Sequence, residues 1–175
     1  KYLPPENVHP RLCFTEKRLE EIRATLNHED NKYAYESFVE LYETECDGEV
    51  RDFTDTRALS HMRIIDADIL TILTSKAFQY ALTKDELYGY EAIAGILSYL
   101  KTFDLSQIPA GIAHYSTMRI MEKVACIYDW CYDLLTEDDK RHIAIGLTDE
   151  FRNCLDWGSE FPPKNVSVMV SHMLV

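Results

Sequence analysis

Apolar residues recur at helical spacing along most of this 175-residue chain. Side chains three and four positions apart share one face of an α-helix, so such a stripe predicts a helix with a buried face. The clearest stripe comprises Met118, Met121, Val124, Ala125, Tyr128, Cys131 and Leu135. No segment shows a convincing strand-like alternation of apolar and polar residues. The spacing therefore predicts an all-α fold of six or seven antiparallel helices joined by short loops.

Capping signals divide these stripes into separate helices. Thr15 is expected to cap the first helix, and Thr136 to cap a later helix whose acidic first turn suits the helix dipole. Another helix is expected to begin at Asp85 and Glu86, between these two capped helices in the sequence. The second helix is predicted at about 30–46 and the third at about 56–82. The segment 101–114 is the longest predicted break.

Composition limits the classes of partner. Hydrophobic residues make up 46% of the chain, which is enough to build a core. The formal charge of −12 argues against nucleic acid and anionic membrane surfaces as partners. It argues less strongly against an anionic polysaccharide, because a local basic cleft could override the net field.

Cysteine and histidine spacing predicts neither a metal site nor a bound cofactor. The five cysteines form no CxxC pair and the six histidines form no HxxxH pair, which are the local spacings usual for zinc. Cys126 and Cys131 lie within an apolar helical pattern, so both are expected to be free, buried thiols.

The printed sequence ends within an apolar run, NVSVMVSHMLV, at residues 165–175. Protein C-termini usually finish in polar, poorly ordered residues. The run is shorter than the roughly 20 apolar residues that cross a bilayer. We expect either a buried C-terminal helix or a piece of a longer polypeptide.

Three segments resemble the N-terminal region of heparinase II/III-like polysaccharide lyases. HPRLCFTEKRLEEIRATL, at 9–26, resembles the start of their first helix. ALTKDELYGYEAIAGILSYL, at 81–100, resembles one of their helical hairpins. KVACIYDWCYDLLTEDDKRHIAIGL, at 123–147, is the strongest match, with a helix ending in YDWCYDLL before a Thr-capped acidic turn.

The resemblance implies more than periodicity can. It implies that 1–175 is a single helical domain, built of antiparallel hairpins that form part of an incomplete α/α toroid. Downstream β-sandwich domains of a longer chain would follow. The whole protein would be a secreted or periplasmic bacterial enzyme that cleaves uronic-acid glycans, such as heparan sulfate or a related acidic polysaccharide, by β-elimination.

The same resemblance suggests site residues. His172 matches a functional histidine of these lyases, although Val175 stands where a glutamate often follows; a core histidine is the alternative interpretation. Asn165 is interpreted as a group that neutralises the substrate carboxylate or as a helix N-cap. His114, expected just before a helix, is a further candidate for the cleft. The catalytic tyrosine of the family would lie beyond Val175.

Aromatic and acidic residues near 130 suggest further chemistry. Tyr128, Trp130 and Tyr132 could stack on sugar rings, but their spacing favours core packing for most of them. Asp129 and Asp133 share a helix face and could imitate a catalytic carboxylate pair, but a solvated or arginine-paired face is the favoured interpretation.

Two other function classes stay open at this point. One is a non-catalytic helical module that binds carbohydrate or a protein. The other is an α/α-barrel glycoside hydrolase, which needs two carboxylates about 5 to 9.5 Å apart.

Overall fold

A computed structural model of the chain describes the backbone of residues 8–44, 67–102 and 110–158, and the side chains of 8–44, 69–101 and 120–148. All regular structure in these ranges is helical. The α-helices found there are α1 (Glu16–Thr25), α2 (Lys32–Tyr42), α3 (Ala67–Thr83), α4 (Glu86–Thr102), α5 (Ala110–Trp130) and α6 (Glu137–Gly158), with a 3-10 turn (Glu29–Asn31) before α2. The predicted all-α fold class is confirmed.

Helix α3 lies at the centre of the core. It contacts α1, α2, α4 and α5, while α6 packs on α4 and α5. Residues 73–77 and 79–82 are all buried, so this helix has no solvent-facing side over its second half. The burial extends to polar residues of this helix, among them Lys76 and Gln79. Helices α1, α2, α4 and α5 therefore pack around α3.

Glycines on α4 allow close helix packing. A Cβ atom at Gly95 would lie 2.3 Å from Cδ2 of Leu73 on α3. A Cβ atom at Gly89 would lie 2.3 Å from Cδ1 of Leu134, in the turn after α5. Both distances are shorter than a van der Waals contact, so α4 approaches its neighbours more closely than a larger residue would permit.

The capping predictions have different outcomes. Thr136 and Asp139 cap α6 reciprocally: the Asp139 amide donates to Thr136 Oγ1 at 3.1 Å, and the Thr136 amide donates to Asp139 Oδ2 at 3.0 Å. Helix α4 begins at Glu86, and Asp85 Oδ1 accepts from the Leu87 amide at 3.1 Å, as predicted. Thr15 is the N-cap residue of α1, but its side chain makes no capping bond.

Some predicted boundaries were wrong. Helix α5 begins at Ala110, so part of the predicted break is helical and His114 lies inside the helix rather than before it. Helix α2 is shorter than predicted and ends at Tyr42. Helix α5 ends at Trp130, and Leu135 follows in the turn region before α6. The predicted start of the third helix, at 56–66, lies outside the described residues.

Candidate functional site

The residues proposed from the family resemblance are only partly within reach of the structure. Asn165 and His172 lie outside the described residues. The backbone of His114 is part of α5, but its side chain is outside the described ranges.

The segment before α1 meets the end of α5 at a buried carboxylate, which we call the Asp129 junction. Its members are His9, Arg11, Leu12, Asp129 and Trp130. Asp129 Oδ2 accepts hydrogen bonds from the backbone amides of Arg11, at 2.7 Å, and Leu12, at 2.8 Å. Asp129 Oδ1 lies 2.5 Å from His9 Nδ1 and 3.9 Å from Arg11 Nε.

The interactions at the junction account for the burial of Asp129, whose side chain is 2% exposed. A buried carboxylate is tolerated when several donors compensate for lost water, and Asp129 has two amides, an imidazole and a nearby guanidinium. Because a carboxylate only accepts, Nδ1 of His9 carries the shared proton when Asp129 is ionised. Through these hydrogen bonds Asp129 anchors the segment before α1 to the end of α5.

The expectation that Asp129 lies on a solvated or arginine-paired face was therefore wrong in its main part. Arg11 is close, but burial and backbone donors dominate the environment of the carboxylate. Spacing along α5 could not reveal this, since the partners lie 117 to 120 residues earlier. The available signal was the pair of family-like segments, HPRL and YDW, which the fold brings together.

Trp130 is buried beside the same junction, as predicted. It is 7% exposed, and its Nε1 donates to the Leu12 carbonyl at 3.1 Å. Its ring stacks on Phe14, with centroids 4.7 Å apart, and lies 5.6 Å from Phe78 of α3. These contacts place the tryptophan in the core rather than on a sugar-binding surface.

Tyr132 is also occupied by protein groups. The His9 ring stacks on it at 3.8 Å between centroids, and Lys140 Nζ lies over the ring at 4.2 Å. These two groups occupy space over the ring that a sugar would need. Tyr128 is half-buried and meets the edge of Tyr132, and burial raises its pKa. The sugar-stacking interpretation finds no open aromatic face at Trp130 or Tyr132.

The second carboxylate of the suggested pair has a different environment. Asp133 is 60% exposed and accepts a 2.7 Å hydrogen bond from the Tyr80 hydroxyl of α3, with Lys84 Nζ 3.6 Å away. Burial and this bond raise the pKa of Tyr80 well above its usual value. Tyr80 therefore stays protonated at neutral pH and is unsuited to act as a base.

A buried lysine joins α2, α3 and α4. Lys76 is 3% exposed, and its Nζ donates to the Tyr42 carbonyl at 2.8 Å and to Glu91 at 2.5 Å. A buried ammonium needs such partners because desolvation is otherwise costly. With its donors directed at protein groups, Lys76 serves as a link between helices.

A shallow groove of about 810 Å³ lies between the end of α1 and helix α2. Leu26, Tyr35 and Val39 supply apolar lining, and Lys32 and His28 are also present. Glu29, Glu36 and Glu40 add three carboxylates, which would repel a polyanionic glycan. This groove does not suit an acidic polysaccharide.

Among the side chains described, no group of three or more His, Cys, Asp or Glu residues is placed to hold a metal ion. Within the described ranges, no helix combines the length and apolar character needed to cross a membrane. No protein-family model matches the chain, and no curated protein matches it significantly.

Proposed function

We propose that this chain is the N-terminal helical part of a heparinase II/III-like polysaccharide lyase, forming part of an incomplete α/α toroid. The observation that supports this most is the Asp129 junction. The segments 9–12 and 128–130, which both resemble that family, meet there through Asp129 and Trp130. Contact between two distant segments that resemble the same family is expected if the chain shares the fold of that family.

The layering of the helices also supports the proposal. Helix α3 is buried over its second half between α2, α4 and α5. A toroid of helical hairpins has inner and outer layers, so some of its helices are covered on two sides. Downstream β-sandwich domains of a secreted or periplasmic protein would complete the cleft.

The proposed reaction is β-elimination on a uronic-acid glycan. A base removes the proton at C5, a neighbouring group neutralises the carboxylate, and an acid protonates the leaving oxygen. We assign His172 as a general acid–base residue. Asn165 would neutralise the substrate carboxylate, and His114 would contribute to substrate binding in the cleft. The second acid–base group, a tyrosine in the family, would come from beyond Val175.

The alternative of a glycoside hydrolase is weakened by one observation. The acidic pair suggested by spacing includes Asp129, whose oxygens are engaged by His9 and two backbone amides. A carboxylate held in this way is not available to a glycosidic bond. A carbohydrate- or protein-binding module remains the second candidate, since the helical framework would serve it equally.

The test compares residues 1–175, the full-length protein and its His172→Ala variant on heparan sulfate, chondroitin sulfate, hyaluronan and alginate. Formation of unsaturated uronate is followed by ultraviolet absorbance, and new reducing ends are measured in parallel. We expect no product from 1–175, product from the full-length protein, and kcat/KM lowered about 10²-fold or more by His172→Ala. His142→Ala, at an exposed position of α6, is the matched control.

The outcomes separate the candidate functions. Reducing ends without unsaturated product would indicate a hydrolase, and glycan binding without either product would indicate a binding module. Product from 1–175 alone would contradict the incomplete site. Full activity in the His172→Ala enzyme would return that histidine to a structural role.

A further inference from the structure

Two cysteine thiols meet where the segment before α1 crosses α5. Sγ of Cys13 lies 3.9 Å from Sγ of Cys126, although the residues are 113 positions apart. Cys13 is exposed and Cys126 is buried, and both are free thiols. The contact lies close to the Asp129 junction, on the same two segments.

We propose that Cys13 and Cys126 form a reversible disulfide that fastens the segment before α1 to α5. A disulfide joins its sulfurs at about 2.05 Å, so the two atoms must approach from their present contact distance. Rotation about χ1 moves a cysteine sulfur by more than this difference. Cys13 lies in a bend outside any helix, where such an adjustment does not disturb helix packing.

Cys13 has an unusual backbone conformation. Its φ angle is +66°, in the left-handed region that residues with a side chain seldom occupy. Glycine would adopt this conformation without the steric cost. In this conformation Sγ of Cys13 lies within contact distance of Sγ of Cys126 on α5.

The two thiols have different accessibility, which orders the steps of the reaction. Burial and the neighbouring Cys13 raise the pKa of Cys126 to about 12, so Cys126 is a poor initial nucleophile. The exposed Cys13 thiolate attacks a small-molecule disulfide such as oxidised glutathione, releasing one thiolate and leaving a mixed disulfide.

Ring closure then involves the buried partner. Cys126 loses its proton and attacks Sγ of Cys13, which breaks the mixed disulfide and releases the second glutathione thiolate. The two protein thiols lose two protons and two electrons, and oxidised glutathione gains them to become two thiols. Cys131, buried and five residues further along, is the matched cysteine outside this pair.

The experiment treats the chain with oxidised glutathione and maps the linkage by mass spectrometry of unreduced peptides. Trypsin releases Cys13 on peptide 12–17 and Cys126 on peptide 124–140, which also contains Cys131. The mapping is therefore repeated in Cys131→Ala, where a bond from 12–17 to 124–140 can involve only Cys126. We expect that bond in both proteins.

Thermal unfolding provides an independent readout. Closing a long loop should raise Tm by about 5 to 10 °C, and a reductant should reverse the shift. Cys13→Ser changes an exposed side chain, so this variant should fold while losing both the linked peptide and the oxidative Tm shift. Cys131→Ala should keep both.

Three results would overturn the proposal. One is a glutathione adduct that persists on Cys13 without ring closure. Another is preferential pairing of Cys13 with Cys46 or Cys154. The third is an oxidised chain with neither a linked peptide nor a change in Tm.

Discussion

Nδ1 of His9 lies 2.5 Å from Oδ1 of Asp129, a residue 120 positions later in the chain. Together with the two backbone amides on Oδ2, this contact secures an irregular segment to the end of α5. The arrangement fastens the segment to α5 through one buried carboxylate. The contribution of Asp129 to the free energy of unfolding can be measured against that of Asp133, an exposed carboxylate nearby.

Asp129→Asn should lower the free energy of unfolding by about 3 kcal/mol, because the amide removes the charge and turns an NH₂ group toward other donors. Urea denaturation gives this value. Asp133→Asn is the control: its carboxylate is 60% exposed, so the loss should stay below about 1 kcal/mol. Equal losses in the two variants would show that Asp129 is not a buried anchor.

Trp130→Ala should cost about 3 to 5 kcal/mol of stability, the usual effect of deleting a large buried aromatic side chain. Trp130→Phe should cost less, since a ring remains against Phe14, but it loses the 3.1 Å bond to the Leu12 carbonyl. Thermal and chemical denaturation report both effects. An alanine variant that melts like the parent would mean that the tryptophan is exposed and would reopen the sugar-stacking interpretation.

Gly95→Ala should destabilise the chain by about 1 kcal/mol. A Cβ atom there overlaps Leu73 at 2.3 Å, and the cost of overpacking, about 1 to 3 kcal/mol, exceeds the gain of about 1 kcal/mol in helix propensity.

Gly146→Ala is the matched helical substitution for this comparison. Its Cβ atom would meet Leu100 at 3.2 Å, which a small side-chain shift can relieve. We expect this variant to be neutral or more stable by up to about 1 kcal/mol. Equal stabilisation of both glycine variants, measured by urea denaturation, would show that α3 and α4 are not in close contact.

Alkaline pH should weaken the fold through Tyr80. Its folded-state pKa is raised, so above about pH 10 the unfolded tyrosine loses its proton while the folded one keeps it. This contribution is complete below pH 10 and falls by up to about 1.4 kcal/mol per pH unit above it. Tyr42 and Tyr88, with pKa values raised to about 12, act in the same direction.

Tyr80→Phe removes this dependence, since phenylalanine does not ionise. The variant should be less stable than the parent at pH 7 by about 1 kcal/mol, because the bond to Asp133 is lost. The difference should narrow between pH 10 and 11 in urea denaturation series. A constant difference across that range would contradict the raised pKa.

Local sequence signals predicted those features that depend on residues close together in the chain. Apolar spacing predicted the helical class, and the Thr136 signal predicted the start of α6, because both depend on neighbours within a turn or two. Burial of Cys126 and Cys131 was predicted from the apolar helical pattern and is confirmed. Trp130 lies off the apolar stripe, and its burial was predicted instead from its place in the most family-like segment.

Features that depend on distant partners were not predictable in this way. Asp129 and Asp133 are four residues apart whether Asp129 is solvated or buried, so their spacing does not predict its burial. The partners of Asp129 lie in the segment before α1, which shows no helical or strand periodicity. The contact between Cys13 and Cys126 depends on the same crossing. His114 was misplaced relative to its helix because the start of α5 has no strong capping residue to mark it.

The Asp129 junction also has a consequence for how this chain tolerates mutation. Asp129 binds Arg11 and Leu12 chiefly through their backbone N–H groups, which every residue except proline provides. As far as this carboxylate is concerned, the side chain at position 12 can change without loss, and a change at position 11 removes only a guanidinium 3.9 Å away. Proline at either position would remove a donor at once, so a saturation mutagenesis survey should find one forbidden residue where a side-chain contact would have forbidden many.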